Sequence, residues 1–135
     1  MRALVISALL SGSVLFGAGC LPHDQDDFDD DHPCTDLFAS VGVEVVDSRG
    51  APVGGLEAVT RFEDTGQELR LEQSNFAPGF YVVVDDSQLP RVSDEGEALR
   101  FDATGPAGAV AGQFLIGSDG CHIEKIDGPD RLVVP

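Results

Sequence analysis

Tryptophan is absent from this 135-residue chain, tyrosine and lysine occur once each, at Tyr81 and Lys125, and no apolar run is long enough to span a membrane. Each shortage removes a class of function. With 8 Lys and Arg against 24 Asp and Glu, for a formal charge of −16, the chain has little with which to neutralise phosphates, the main source of nucleic-acid affinity. An anionic lipid surface would repel it for the same reason. The acidity serves solubility first, and is also compatible with a salty habitat or a cationic partner. Without tryptophan there is no aromatic cluster of the kind that marks carbohydrate and protein hot spots. Tyr81 is the one candidate for an exposed contact residue, the alternative being a second buried face on a central strand. No P-loop, dinucleotide fingerprint, HExxH or CxxC occurs, so the chemistries those motifs carry have no foothold, and no cofactor is expected.

What is present begins at the first residues: Met1-Arg2, an apolar run over 3–16, then Gly17-Ala18-Gly19-Cys20. A run of about 14 residues falls short of the roughly 20 that a spanning helix needs, and it suits the central region of an export signal. Residues 17–20 resemble the lipobox of bacterial lipoproteins, whose cysteine is alkylated with diacylglycerol before the signal peptide is removed. The resemblance implies a signal over 1–19, lipidation of Cys20 and attachment to the membrane through that lipid. Leu21 replaces the aspartate that, in the enterobacterial sorting rule, retains lipoproteins in the inner membrane. The outer membrane is therefore expected, with the domain in the periplasm or at the surface. The alternative is an ordinary secretory signal cut near Ala18 or Gly19, leaving Cys20 free.

The three cysteines are Cys20, Cys34 and Cys121, and an odd count in an exported protein needs an explanation. Lipidation of Cys20 supplies one, and leaves Cys34 and Cys121 as a pair in a compartment where disulfides persist. Metal ligation or redox chemistry at these residues is the alternative. Between Cys20 and Cys34 the sequence LPHDQDDFDDDHP has almost nothing to bury, and residues 20–33 read as a disordered, self-repelling tether. The sharper reading is a cation site built from Asp26, Asp29 and Asp31, with Asp24, Asp27, Asp30, His23 and His32 nearby. The EF-hand register, with its central glycine and terminal glutamate, is missing.

From Cys34 onward the pattern is β. Val41, Val43 and Val45 alternate in 40–47, and Leu56, Ala58 and Phe62 alternate with Glu57, Arg61 and Glu63 in 56–63. Leu69 and Leu71 alternate with charges in 67–73. Residues 80–84 form a continuous apolar run, as a central strand would. Further strands are predicted at 98–103, 109–116, 121–126 and 132–134, with turns at 48–52, 75–79, 104–107 and 127–130. Seven to eight short strands at this spacing predict an all-β fold, a single antiparallel β-sandwich over 34–135 of immunoglobulin-like or transthyretin-like type. About a hundred residues suffice for one such core and not for two.

Val43-Glu-Val-Val-Asp47-Ser-Arg-Gly50-Ala-Pro52-Val53-Gly-Gly55-Leu56-Glu-Ala-Val59 resembles the opening of carboxypeptidase regulatory-like domains. In that family a strand ending in Asp leads through a Gly-x-Pro-Val turn into a second strand. Pro78-Gly79-Phe80-Tyr81-Val82-Val83-Val84 is similar to the family's Gly-x-Tyr strand. The resemblance covers roughly residues 40–85 and implies a transthyretin-like sandwich that serves as an accessory or binding module without catalytic residues of its own.

Only one histidine, His122, lies within the predicted sandwich. Strand alternation sets it opposite Cys121, so if Cys121 faces the core, His122 is an ordinary solvent-facing residue. Asp85 with Asp86, and Glu95 with Glu97, have the spacing of paired acids, which so many carboxylates produce by chance. Two functional classes remain. One is a non-catalytic envelope module that binds a protein or glycan or serves a structural role. The other is a calcium-dependent module using the tether, Asp85-Asp86 or the 127–130 loop.

Overall fold

The computed structural model describes residues 34–75 and 77–135. The expected export signal over 1–19, Cys20, the acidic stretch with Asp26, Asp29 and Asp31, and both His23 and His32 lie outside the described residues. Seven strands follow in order: β1 (Ser40–Val46), β2 (Glu57–Phe62), β3 (Phe80–Asp85), β4 (Glu97–Gly105), β5 (Gly108–Ser118), β6 (Ile123–Asp127) and β7 (Arg131–Val133), with a short 3-10 helix at Asp86–Arg91. They form two sheets, β3-β1-β7 and β2-β4-β5-β6. The fold is thus an all-β sandwich.

The alternation read from the sequence decides which side chains meet. Val43, Val45, Tyr81 and Val83 of the first sheet pack onto Leu99, Phe101, Ala103, Phe114 and Ile116 of the second. Each large apolar side chain fully removed from water here contributes about 1.5–3 kcal/mol. Phe101 is central, tilted against Tyr81 and edge-on to Phe114, with ring centroids 6.4 Å apart in each case, the arrangement that aromatic quadrupoles favour. The 3-10 helix is tied to β2 by Arg91, whose guanidinium lies 4.2 Å from the centre of the Phe62 ring.

Two glycines set the geometry of the first sheet. Gly79 has φ +77°, which an L side chain adopts only with strain, and a Cβ there would lie 2.6 Å from that of Pro52. Its carbonyl accepts from the Val45 amide at 2.7 Å, which brings the 77–79 turn against β1. At Gly42 a Cβ would occupy the space of the Phe80 ring, so this strand position has to be bare for Phe80 to lie across it.

Four expectations are corrected. Residues 67–73 do not form a strand; they run along the edge of β2 with one isolated bridge, Arg61 to Glu68, and a bond from the Leu69 amide to the Thr60 carbonyl at 2.8 Å. Leu69 and Leu71 still face the core, but the segment then turns so that the amides of Glu72 and Gln73 reach Asp85, and no ladder can continue. The 80–84 run is not central in its sheet: β3 is an edge strand. Residues 81–84 are buried, and the edge is covered by the Asn75 side chain, which accepts from the Val82 amide at 2.9 Å. The pairing is not wholly antiparallel, since β7 runs parallel to β1. Finally, β6 starts at Ile123, which leaves Cys121 and His122 in the turn before it.

Thr60 faces the interior of β2, 3% exposed, and its hydroxyl has no hydrogen-bond partner among the described residues. An unpaired buried hydroxyl costs about 1–3 kcal/mol, and valine has nearly the same shape. Thr60→Val is therefore expected to stabilise the domain by about 1 kcal/mol, seen as a raised urea midpoint at unchanged slope. A lowered midpoint would show that the hydroxyl contributes to the native state.

Candidate functional site

A concentrated polar cluster lies where the chain enters the sandwich. Cys34 and Cys121 form a disulfide, with Cα atoms 5.2 Å apart and 87 residues of sequence separation. Bridging these two brings their chain neighbours, Thr35 and His122, face to face. The Thr35 hydroxyl and His122 Nε2 are 2.9 Å apart, and His122 Nδ1 is 2.7 Å from Asp86 Oδ2.

Local turns place each of these groups. Gly120, at φ +87°, lets the chain reverse so that the Asp119 carboxylate accepts from the amides of Cys121 and His122 at 2.8 and 2.7 Å. Asp86 opens the 3-10 helix and joins three segments. Its carboxylate accepts from the Ala39 amide at 2.7 Å and the Ile123 amide at 2.9 Å, and its own amide donates to the Ala39 carbonyl. Residues 34–39 are thereby strapped to the 3-10 helix and to the start of β6 by a disulfide, a reciprocal backbone–carboxylate pair and an imidazole.

His122 is consequently not the solvent-facing residue that alternation predicts. Its side chain is 22% exposed and forms an ion pair with Asp86, because it belongs to a turn, where strand alternation does not apply. The hydrogen bond that His122 donates to the Asp86 carboxylate outweighs partial burial and raises the pKa of His122 above 6.5, aided by the charges of Asp86 and Asp119. Burial opposes ionisation of Asp86, yet the amides of Ala39 and Ile123 and the imidazole hold its carboxyl below 3.8.

Carboxylate, imidazole and hydroxyl in series have the connectivity of a nucleophile relay. Below its raised pKa the ring holds its proton and donates from Nε2 to Thr35 instead of accepting the hydroxyl proton. The clefts lined by Val46, Pro52 and Phe80, by Leu56, Asn75 and Tyr81, and by Phe38, Glu72 and Gln73 have volumes of about 200, 210 and 260 Å³. Small-molecule sites usually exceed about 300 Å³, and none of the three is lined by Thr35, Asp86 or His122. What the geometry does show is that these groups hold the strap.

That role has a pH signature. The contribution of His122 is fully present below its ordinary pKa of 6.5 and is lost as pH rises through the raised folded value. The contribution of Asp86 is present above 3.8 and is lost as pH falls through the lowered value. The strap is therefore expected to be held best between these two ordinary values. Exchange of the Ala39 and Ile123 amides, corrected for intrinsic rates, should be slowest there, and His122→Gln should remove the alkaline limb while leaving the acid limb. An alkaline limb unchanged in that variant would show that another group is responsible.

The remaining sequence candidates are engaged elsewhere. Tyr81 is buried, 3% exposed; its hydroxyl donates to the Val53 carbonyl at 2.9 Å and accepts from the Leu56 amide at 3.1 Å. It pins the 53–56 connection over the core and offers no surface contact, so the buried alternative holds. Asp85 is fully buried and, like Asp86, turns its oxygens to amides within the fold. Glu97 accepts from the Ser93 hydroxyl, and Asp130 is paired with Lys125. Among the described residues no group of three or more His, Cys, Asp or Glu could hold a metal ion. The missed feature was the strap. Its signal was the immediate adjacency of Thr35 and His122 to the two cysteines, which becomes informative only once those cysteines are paired. No family model matches the chain, and no curated protein or solved structure matches it either.

Proposed function

We propose that this is a lipid-anchored protein of the cell envelope whose single β-sandwich is a non-catalytic binding or structural module, held away from the outer membrane by the acidic stretch 21–33. The observation that supports it is the pairing of Cys34 with Cys121. With those two thiols consumed, Cys20 is the odd cysteine, and it stands after the small residues and apolar run of an export signal. A strap that fixes the first residues of the domain also suits a chain whose attachment lies just upstream.

The test is an intact mass of the protein from its native membrane, before and after reduction and alkylation. The expected chain starts at Cys20, carries an acyl-glycerol increment, and gains two alkylated thiols only after reduction. A soluble chain with an unmodified Cys20 would overturn the anchor, and detection only in inner-membrane fractions would overturn the outer-membrane assignment.

A further inference from the structure

A sandwich of two open sheets has four edges, and unpaired edges are templates for further strands. Three of them are closed or guarded here. The β2 edge carries the 67–69 segment, with the Phe62 amide donating to the Gln67 carbonyl and the Leu69 amide to that of Thr60. The β3 edge is covered by the Asn75 side chain and by an isolated bridge between Ala77 and Phe80. Along β6 stand the exposed acids Glu124 and Asp127, and the amide of its first residue is taken by Asp86.

The fourth edge, β7, is different. In its parallel ladder with β1, Asp130 accepts from the Glu44 amide and Val134 donates to the Val46 carbonyl, so the amides and carbonyls of Arg131 and Val133 point the other way. Val133 is 54% exposed. The charges beside it cancel: Arg131 makes two bonds to one Glu44 oxygen at 2.8 and 2.9 Å, and Lys125 is paired with Asp130. Two of the 8 basic residues of a chain with charge −16 are therefore spent on neutralising one edge.

We propose that the β7 edge is a self-association surface that pairs antiparallel with β7 of a second copy. Two strongly acidic copies can approach only where their local charge is cancelled, and a neutral edge has nothing with which to select a basic peptide. A two-fold axis through Leu132 sets Arg131 of each copy opposite Val133 of the other, so the free amides and carbonyls satisfy one another and the sheets join across the axis. The contact is small against the about 1,600 Å² of a standard interface, so the dimer is reversible.

Sedimentation equilibrium of the full-length protein in a density-matched detergent tests this. The mass is expected to rise from one chain to two as concentration increases, and association to tighten with salt as the long-range repulsion is screened. Val133→Pro removes only an outward-pointing amide, a change that edge strands tolerate, and it should hold the mass at one chain. Val133→Lys leaves the backbone untouched and should do the same, covering the case in which proline disturbs β7. A one-chain mass at every concentration would overturn the proposal and leave the edge to a different protein. So would dimerisation of both variants as strong as that of the unaltered chain.

Discussion

Replacing Cys34 and Cys121 together by serine is expected to lower the unfolding free energy by about 4 to 5 kcal/mol, the loop-entropy value for so long a closed segment. The bridge encloses everything from β1 to β5, since its ends lie before the first strand and just ahead of β6. The bridge thus closes most of the unfolded domain into one long loop. Small domains have net stabilities of about 5 to 15 kcal/mol, so the double variant should melt on the order of 20 °C lower. Urea unfolding of the oxidised protein, the dithiol-reduced protein and the double variant provides the check, the last two being expected to coincide. A difference below about 1 kcal/mol between oxidised and serine forms would mean that native strain cancels the entropy gained.

Asp85→Asn is expected to cost about 3 kcal/mol, through loss of charge-assisted hydrogen bonds. Asp85 is wholly buried. One oxygen accepts from the amides of Glu72 and Gln73 at 2.8 and 2.7 Å, and the other accepts from the amide and hydroxyl of Ser87. Three of the four partners are backbone amides that can only donate, so an NH₂ group in either position faces at least one of them, and no rotation of the amide relieves both sides. Part of the loss should be local, because the same carboxylate holds the segment that covers β3. The Val82 amide, bonded to Asn75 in that segment, should lose exchange protection beyond the global destabilisation. A cost below 1 kcal/mol, or a uniform loss of protection, would show that the covering segment stands without Asp85.

The strands that could be read from the sequence were those in which a single sheet face is buried. In β1, Val43 and Val45 alternate with Glu44, and in β4, Leu99, Phe101 and Ala103 alternate with polar neighbours. Both lie inside ladders, so the solvent boundary writes a period of two into the residues. The pattern misled where something other than a ladder set the burial. Residues 80–84 read as central because they are apolar on both faces, yet β3 is an edge strand whose edge is capped by Asn75, a polar residue that carries no such period. Residues 67–73 alternate because one side faces the core, and alternation does not reveal whether backbone bonds continue beside it. The parallel course of β7 was hidden for a related reason: three residues are too few to specify direction. His122 was misplaced by applying strand alternation across a turn. Its partners, Asp86 and Thr35, are 36 and 87 residues away, and only the folded chain brings them together.

The position of the disulfide also decides how a mechanical load would travel. A pull on the residues ahead of Cys34 does not reach β1 first. It crosses at once to Cys121 and is delivered to the turn before β6, so the 87-residue interval between the two cysteines is shielded from extension. The strap of residues 35–39 and the two sheets it borders stay slack while the sulfur bridge carries the tension. An intact bridge therefore lets the domain bear such a pull as a stiff bead, and a reduced one turns β1 into the first strand to peel.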